Sequence, residues 1–173
     1  CGEPGAIAQG TNGGVIPALV GDSDTAMWGL QATTDPVTGT ELEYLTEGGE
    51  QVTDAGRMLT RIYSELDLVT AEAIREGVFD RLSAPQLAAV LSSLVYESRG
   101  DRRPSRMPDR ASERAQGALR GIWRQVTLTE RDHRLPSPTE PDIGFAEAIH
   151  HWTAGFPLAD VLDVSGLTAG DFV

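Results

Sequence analysis

The stretch from Leu82 to Arg99 constrains the fold more than any other part of the chain. Its apolar residues recur at intervals of three and four positions, which places them on one face of a helix and excludes the alternation of a strand. Ser83 and Gln86 have the spacing of a capping box, and Pro85 is tolerated in a first helical turn. Because such a face needs helical partners, we predict a core that contains Leu87, Val90, Leu91, Leu94, Val95 and Trp152.

Residues on both sides of this segment carry further helix signals. The sequence predicts helices that begin after capping residues or prolines and end at glycines. They run from Asp54 to Ser64 or Leu66, from Asp67 to Gly77, from Ser112 to Val126, from Asp142 to Thr153 and from Pro157 to Ser165, with one more starting at Thr168. Gly117 and Gly121 lie inside one of these helices, so either another element approaches closely there or the helix is locally weak.

These signals predict an all-α fold, a bundle of about five to six helices. Residues 1–41 are rich in Gly, Thr, Asp and Pro, which favours an irregular or flexible lead-in. Residues 42–173 form the predicted helical domain. Thr168 and Asp171 resemble the start of a helix whose body is missing, so we expect that the domain is cut at its C-terminal end.

Charge is distributed unevenly along the chain. The net charge of -12 argues against a free-standing nucleic-acid binder. All 14 basic residues, however, are arginines between Arg57 and Arg134, and the window from Ser98 to Arg134 holds ten arginines against five acids. The chain contains no lysine, for which a bias toward GC-rich codons is the simplest explanation.

Cysteine usage and hydropathy argue against a disulfide-stabilised fold and against a membrane-spanning protein. The single cysteine, Cys1, cannot form an intramolecular disulfide. No apolar run approaches the roughly 18 residues of a membrane span, so we expect no membrane partner. A chain that begins with cysteine rather than methionine is expected to be a piece of a longer protein or a processed product, and a lipoprotein tethered through Cys1 is an alternative.

Motifs of common enzyme classes are missing from the sequence. Without lysine there is no G-x-x-x-x-G-K-[ST] phosphate loop, so we expect no ATP hydrolysis through such a site in this chain. G-x-S-x-G, H-E-x-x-H and C-x-x-C are also absent. His150 and His151 are adjacent and point to different helix faces, which makes them poor ligands for one metal ion. We predict neither catalytic residues nor a metal site.

Two interpretations of the arginine-rich window stay open. It is either a solvated, charged surface or a contact for nucleic-acid phosphates, to which arginine donates bidentate hydrogen bonds. The second interpretation names five candidate binding residues: Arg99, Arg102, Arg103, Arg120 and Arg124.

Two blocks of the sequence resemble a known family. The first, residues 52–99, contains GVFDRL followed by PQLAAVLSSLVYE, and the second, residues 145–173, contains WTAGFPLADVL from Trp152. Both are similar to the C-terminal helical (DSHCT) domain of superkiller-type DExH-box helicases, in particular to their HelY-like actinobacterial branch. The resemblance covers the arginine-rich middle loosely and does not extend to residues 1–41.

The resemblance implies a role as the C-terminal accessory domain of an ATP-dependent RNA or DNA helicase. In that family the domain packs across two upstream RecA-like motor domains and helps to close the channel for single-stranded RNA or DNA. It implies that the residues for ATP and Mg²⁺ lie upstream in the parent protein, that no cofactor binds this chain, and that the protein is cytoplasmic. The strand-contacting helix of the family would begin at residues 170–173. The alternative hypothesis is a stand-alone acidic helical module that binds another protein.

Overall fold

The computed structural model describes residues 40–47, 51–98, 105–165 and 168–172. This part of the chain forms six α-helices and two short 3-10 helices, which confirms the all-α prediction. The α-helices are α1 (Asp54–Leu59), α2 (Asp67–Arg75), α3 (Ala84–Ser92), α4 (Arg110–Asp132), α5 (Ala146–Thr153) and α6 (Leu158–Ser165), and the 3-10 helices are Ile143–Phe145 and Ala169–Phe172. Nearly all of the predicted lead-in, residues 1–39, lies outside the described residues.

The chain divides into two compact units, and the first extends to Arg61. Its described part contains an antiparallel bridge between Leu45 and Val52, followed by α1. Thr53 caps α1 as predicted, because its side chain accepts a hydrogen bond from the Gly56 amide at 3.1 Å. The helix is nevertheless shorter than predicted, ending at Leu59.

Gly56 is required in α1 by a close approach of the backbone. A Cβ atom at this position would collide with the carbonyl oxygen of Tyr44 and would lie 2.5 Å from a methyl group of Val52. Tyr44 and Leu59 are fully buried. The small residue therefore allows α1 to pack directly on the preceding chain within this unit.

The second unit, from Ile62 onward, is built around α3 and α4. Helix α3 packs mainly against α5 and also against α4, α2 packs against α4, and α5 packs against α6. Buried apolar side chains of these helices form the core, and the main ones are Leu68, Val69, Val90, Leu94, Leu119, Ile122, Val126 and Val161. Aliphatic burial of this kind contributes roughly 1.5–3 kcal/mol per fully buried side chain.

The predicted start of α3 is confirmed, but its predicted end is wrong. The capping box at its start is confirmed, with the Ser83 amide donating to Gln86 Oε1 at 2.9 Å. The helix ends at Ser92 and does not continue to Arg99. The hydroxyl of Ser92 donates to the Ala89 carbonyl, and the Ser93 carbonyl accepts from the Asp142 amide at 2.9 Å, so the chain leaves α3 to pair with the segment that precedes α5.

Part of the predicted core is wrong. Val90 and Leu94 are buried and Leu87 is half-buried, but Leu91 is 36% exposed and Val95 is 74% exposed. Val95 lies in the turn after α3, where the helical periodicity no longer applies. Trp152 is 47% exposed in the last turn of α5.

Helix α5 presents small residues to the core in place of its aromatic ones. Ala146 and Ala148 are buried, whereas Ile149 and Phe145, the residue before α5, are half-buried. Phe145 instead stacks on Tyr96 with ring centroids 5.0 Å apart. Small side chains at the buried positions of α5 allow it to pack closely on α3, and its larger side chains are less buried.

Helix α4 begins earlier than predicted. Its N-cap is Asp109, whose Oδ1 accepts from the amides of Ala111 and Ser112 at 2.8 and 2.9 Å. Ser112, the predicted cap, is fully buried inside the first turn. A carboxylate that accepts two amide hydrogens near the positive end of the helix is the stronger cap.

The C-terminal ends of α2 and α5 agree with the sequence, but α5 begins at Ala146, after a 3-10 helix, and not at Asp142 as predicted. Gly77 and Gly155 adopt positive φ angles of 68° and 92° just after α2 and α5, which is the usual geometry of a glycine that ends a helix. Among the described residues, no helix combines the length and apolarity that a membrane crossing requires.

Candidate nucleic-acid interface

The 23-residue helix α4 carries the basic surface of the described chain. Its buried face includes Leu119, Ile122 and Val126, which fixes the orientation of the helix on the core. The opposite face is a line of residues spaced alternately by four and three positions, all of them exposed. We call this line the outer stripe, and it consists of Arg110, Arg114, Gly117, Gly121, Arg124, Leu128 and Arg131.

The outer stripe is locally basic although the whole chain is acidic. From Arg114 to Thr129 the sequence contains three arginines and no acid. Arg114 and Arg124 are exposed, and they form no ion pair with the described residues. Along an α-helix, ten residues correspond to about 15 Å, so the two guanidinium groups are rooted about that far apart. Their charges are therefore available to an external anion.

Arg120 and Arg124, both predicted to bind nucleic acid, differ in their surroundings. Arg120 is rooted beside the outer stripe and pairs with Glu140, to which its Nε donates at 3.0 Å. The indole of Trp123 donates to the Pro138 carbonyl at 3.2 Å, so the proline-rich segment of residues 136–141 lies along this flank of α4. An exposed pair of this kind contributes little to stability, and Arg120 remains able to exchange its partner.

The other three predicted binding residues, Arg99, Arg102 and Arg103, lie outside the described residues. Arg106 and Arg110 follow them closely and are exposed. The structure therefore places two of the five predicted site residues, Arg120 and Arg124, on one helix, and a binding role for all five stays a prediction.

The outer stripe has a shallow centre because two of its members are glycines. A Cβ atom added at Gly117 or Gly121 would meet nothing within 4 Å. No close packing within the described chain explains them, so the first of the two sequence alternatives, a close approach by another element, is not found here. Each glycine costs the helix about 1 kcal/mol relative to alanine.

Asp109 fixes the start of α4 relative to two other helices. Besides capping α4, its Oδ2 accepts from Gln86 Nε2 of α3 at 3.1 Å and lies 3.8 Å from Nε2 of His150 in α5. The hydrogen bond from the Ser112 amide is the main reason that the pKa of Asp109 lies below its usual range. Asp109 thus holds the N-terminal end of the outer stripe in a fixed position.

Near the other end of α4, a buried acid faces the core. Glu130 is only 5% exposed, and its Oε2 has no hydrogen-bond partner among the described residues. Burial, and secondly the charge of Asp67, raise the pKa of Glu130 to about 7. Asp67 itself is 2% exposed. The carboxyl of Glu130 lies on the opposite side of α4 from the outer stripe, so it is part of the packing between α2 and α4.

The histidines do not assemble a metal site in the described part of the chain. No group of three or more His, Cys, Asp or Glu side chains there has the geometry to hold a metal ion. His150 and His151 cross edge to face with ring centroids 5.9 Å apart. Nδ1 of His151 lies 2.9 Å from the Glu147 carbonyl, so this nitrogen is the donor, and the ring also contacts Phe156.

Of the outer stripe, the sequence analysis predicted one binding residue, Arg124, together with its neighbour Arg120 beside the stripe. Arg110, Arg114 and Arg131 share the outer stripe with Arg124, yet only Arg124 was a predicted binding residue. The alternating spacing of four and three was readable in the sequence. The correct helix start at Arg110, two residues before the predicted cap, is needed to recognise these residues as one continuous stripe.

Comparison with known proteins assigns the family. The model of the DSHCT (NUC185) domain matches residues 49–173. A protein of Mycobacterium leprae (strain TN) named "Probable helicase HelY" is 44% identical over 135 residues, which cover 71% of this chain and 15% of that protein. Its namesake from Mycobacterium tuberculosis (strain CDC 1551 / Oshkosh) is 42% identical over 134 residues, 70% of this chain and 15% of the relative.

The chain thus spans about 15% of the length of the curated relatives that it matches. The family match extends over the whole described second unit and over α1. It confirms the resemblance seen in the two sequence blocks and includes the arginine-rich middle between them. On this evidence the chain belongs to the DSHCT domain family and is similar to the corresponding part of HelY-type helicases.

Proposed function

We propose that this chain is the C-terminal accessory domain of an ATP-dependent RNA or DNA helicase and supports the channel for the nucleic acid. The observation that carries the proposal is the DSHCT match over residues 49–173, together with relatives named as probable helicases. The basic outer stripe of α4 adds a surface with the charge that phosphates require.

In this proposal the chemistry of ATP hydrolysis belongs to the parent protein. The motor domains would lie upstream and would hold ATP and Mg²⁺, since this chain has no lysine for a phosphate loop. The partners of the domain are these motor domains and single-stranded RNA or DNA in the channel, in the cytoplasm. Its own contribution is to position α4 and the helices packed on it.

The first experiment compares the full-length parent helicase with a variant that lacks residues 49–173. We expect the deletion to abolish ATP-dependent strand separation while ATP hydrolysis by the motor domains remains measurable. Unchanged strand separation by a folded deletion variant would contradict the proposed accessory role.

A second experiment tests the arginines of α4 in the parent protein. We expect Arg124→Glu to weaken the binding of nucleic acid by the parent protein and to reduce the slope of log affinity against log salt by about 1. Arg120→Glu should act in the same direction, with an added repulsion from Glu140. Arg81→Glu changes an exposed arginine away from α4 and is the matched control. Equal affinities and equal salt slopes for Arg124→Glu and wild type would remove α4 from the interface.

One observation favours the alternative function, a module that binds another protein. Trp152 and Phe156 are 47% and 50% exposed near the end of α5, and large apolar side chains of this kind are common in protein interfaces. An absence of nucleic-acid binding at low salt, in both the chain and the parent protein, would favour this alternative.

A further inference from the structure

We infer that the outer stripe of α4 binds the phosphate backbone of a double-stranded nucleic acid. The inference rests on the proposed nucleic-acid role and adds the kind of nucleic acid and the way in which it is seated. Four observations carry it: the arrangement of the arginines, the glycines between them, the lack of aromatic side chains on the stripe, and the convex shape of a helix face.

The arginines are spread along the stripe and are not clustered at one point. Arg110 and Arg114 lie in the first turns, Arg124 and Arg131 in the last ones, and the axial rise between the outermost pair is about 31 Å. The inner pair, Arg114 and Arg124, is separated by about 15 Å, close to the roughly 12 Å width of a B-form major groove. A helix lying across the groove can therefore direct one guanidinium to each rim.

The glycines between the arginines allow the duplex to come close. Gly117 and Gly121 are exposed and have no neighbour within 4 Å of an added Cβ, so the surface between Arg114 and Arg124 lies at the level of the helix backbone. A shallow centre lets the helix backbone lie low over the groove, so that the guanidinium groups on either side reach the phosphates of the two rims.

A single strand fits this surface less well than a duplex. Proteins that hold single strands combine positive charge with a groove and with aromatic side chains on which bases stack. The outer stripe is the convex face of a helix, and none of its seven members is aromatic. Phosphate contacts alone suit a duplex, which offers two backbones and no free base faces.

A partner helix also fits less well than a polyanion. A helix that packs along a seam of alternating three- and four-residue spacing needs apolar residues at most positions. On the outer stripe four of seven members are arginines, and Leu128 is the one large apolar side chain. The charge of the stripe is complementary to phosphates.

The test measures binding of the 173-residue chain to fluorescently labelled probes of one sequence. The probes are a blunt duplex of about 20 base pairs, in DNA and in RNA, and the corresponding single strands. We expect at least one duplex to bind about three-fold or more tighter than its single strand at about 50 mM salt, with affinity falling steeply toward about 200 mM. The DNA and RNA arms identify which duplex is preferred.

Charge reversal tests the arginines directly. We expect Arg114→Glu/Arg124→Glu to weaken duplex binding by about ten-fold or more and to reduce the salt slope by about 2. Arg61→Glu/Arg81→Glu makes the same change in net charge at exposed positions off α4 and should retain most of the affinity. Thermal unfolding of each variant verifies that it is folded.

The shallow centre is tested separately by adding bulk without charge. We expect Gly121→Leu to keep or raise the unfolding temperature, because leucine favours the helix, and to weaken duplex binding several-fold by filling the centre of the stripe. Ala118→Leu places the same side chain on α4 at an exposed position off the stripe and is the control.

Three outcomes would overturn the inference. These are equal or tighter binding of the single strand, an unchanged duplex affinity in Arg114→Glu/Arg124→Glu, or no binding of the chain to any of the probes. An absence of binding to every probe would instead favour an acidic protein as the partner of the outer stripe. The deletion experiment on strand separation by the parent helicase is independent of all three, so the proposed function can stand when this inference fails.

Discussion

Replacing Glu130 by glutamine should remove a pH-dependent weakness from the core. Glu130 is 5% exposed, its Oε2 has no hydrogen-bond partner in the described structure, and its pKa is raised to about 7 from an ordinary value of 4.5. The folded state therefore binds more protons than the unfolded state between these two pH values. As a result, the free energy of unfolding is highest below about pH 4.5 with respect to this group and falls as the pH rises through about 7.

The size of the effect follows from the pKa difference. A difference of about 2.5 units at roughly 1.36 kcal/mol per unit gives an upper bound of about 3 kcal/mol. Local rearrangement and water entry reduce the cost of burying the charge, so we expect about 1–2 kcal/mol. Glu130→Gln keeps the shape of the side chain but cannot ionise, so it should exceed the wild type in stability by this amount at pH 8 and should lose most of the advantage at pH 5.

The assay is urea unfolding of wild type and variant at pH 5 and pH 8. Glu113→Gln removes an exposed carboxyl from the same helix and should keep the pH dependence of the wild type. Asp67→Asn removes the second cause of the raised pKa and should move the loss of stability to a lower pH. The same difference between Glu130→Gln and wild type at both pH values would refute the reasoning.

Three further predictions concern glycines, a helix cap and the core. Gly117→Ala should raise the free energy of unfolding by about 1 kcal/mol, because the added methyl meets nothing within 4 Å. Gly56→Ala should lower the free energy of unfolding by about 1–3 kcal/mol, because its methyl collides with the Tyr44 carbonyl. Urea unfolding of both variants measures the contrast, and equal effects would contradict it. Asp109→Ala should lower the free energy of unfolding by about 1–2 kcal/mol, because α4 loses its cap. Ser112→Ala tests the cap that the sequence predicted. A larger loss of stability in Ser112→Ala than in Asp109→Ala would make Ser112 the cap. Val90→Ala should cost about 2–4 kcal/mol and Val95→Ala less than about 0.5 kcal/mol, so similar losses in thermal unfolding would show that the burial pattern after Ser92 is wrong.

The distribution of charge along this chain is more informative about binding than its net charge. The total of -12 argued against nucleic acid, while the distribution along the chain pointed to the region between Ser98 and Arg134. The structure concentrates the difference further, since the buried Glu130 and the exposed arginines occupy opposite sides of one helix. The net charge of a chain does not report the uneven distribution of charge on which a binding surface depends.

Local chemistry in the sequence determined the helices and several of their ends. The capping box at Ser83, the cap at Thr53 and the glycine after α2 act over a few residues, so they are visible without knowledge of the fold. The family resemblance was equally local, since it depended on short blocks that the domain match confirms.

Tertiary structure alone decided where α3 ends, which side chains are buried and where α4 begins. The Ser93 carbonyl takes its hydrogen bond from Asp142, 49 residues away along the chain, so the periodicity through Val95 could not reveal that the helix stops. Asp109 outcompetes Ser112 as a cap because Gln86 and His150 hold its carboxylate from two other helices. A periodic pattern reports which residues share a helix face, but burial and caps depend on what the fold places against that face.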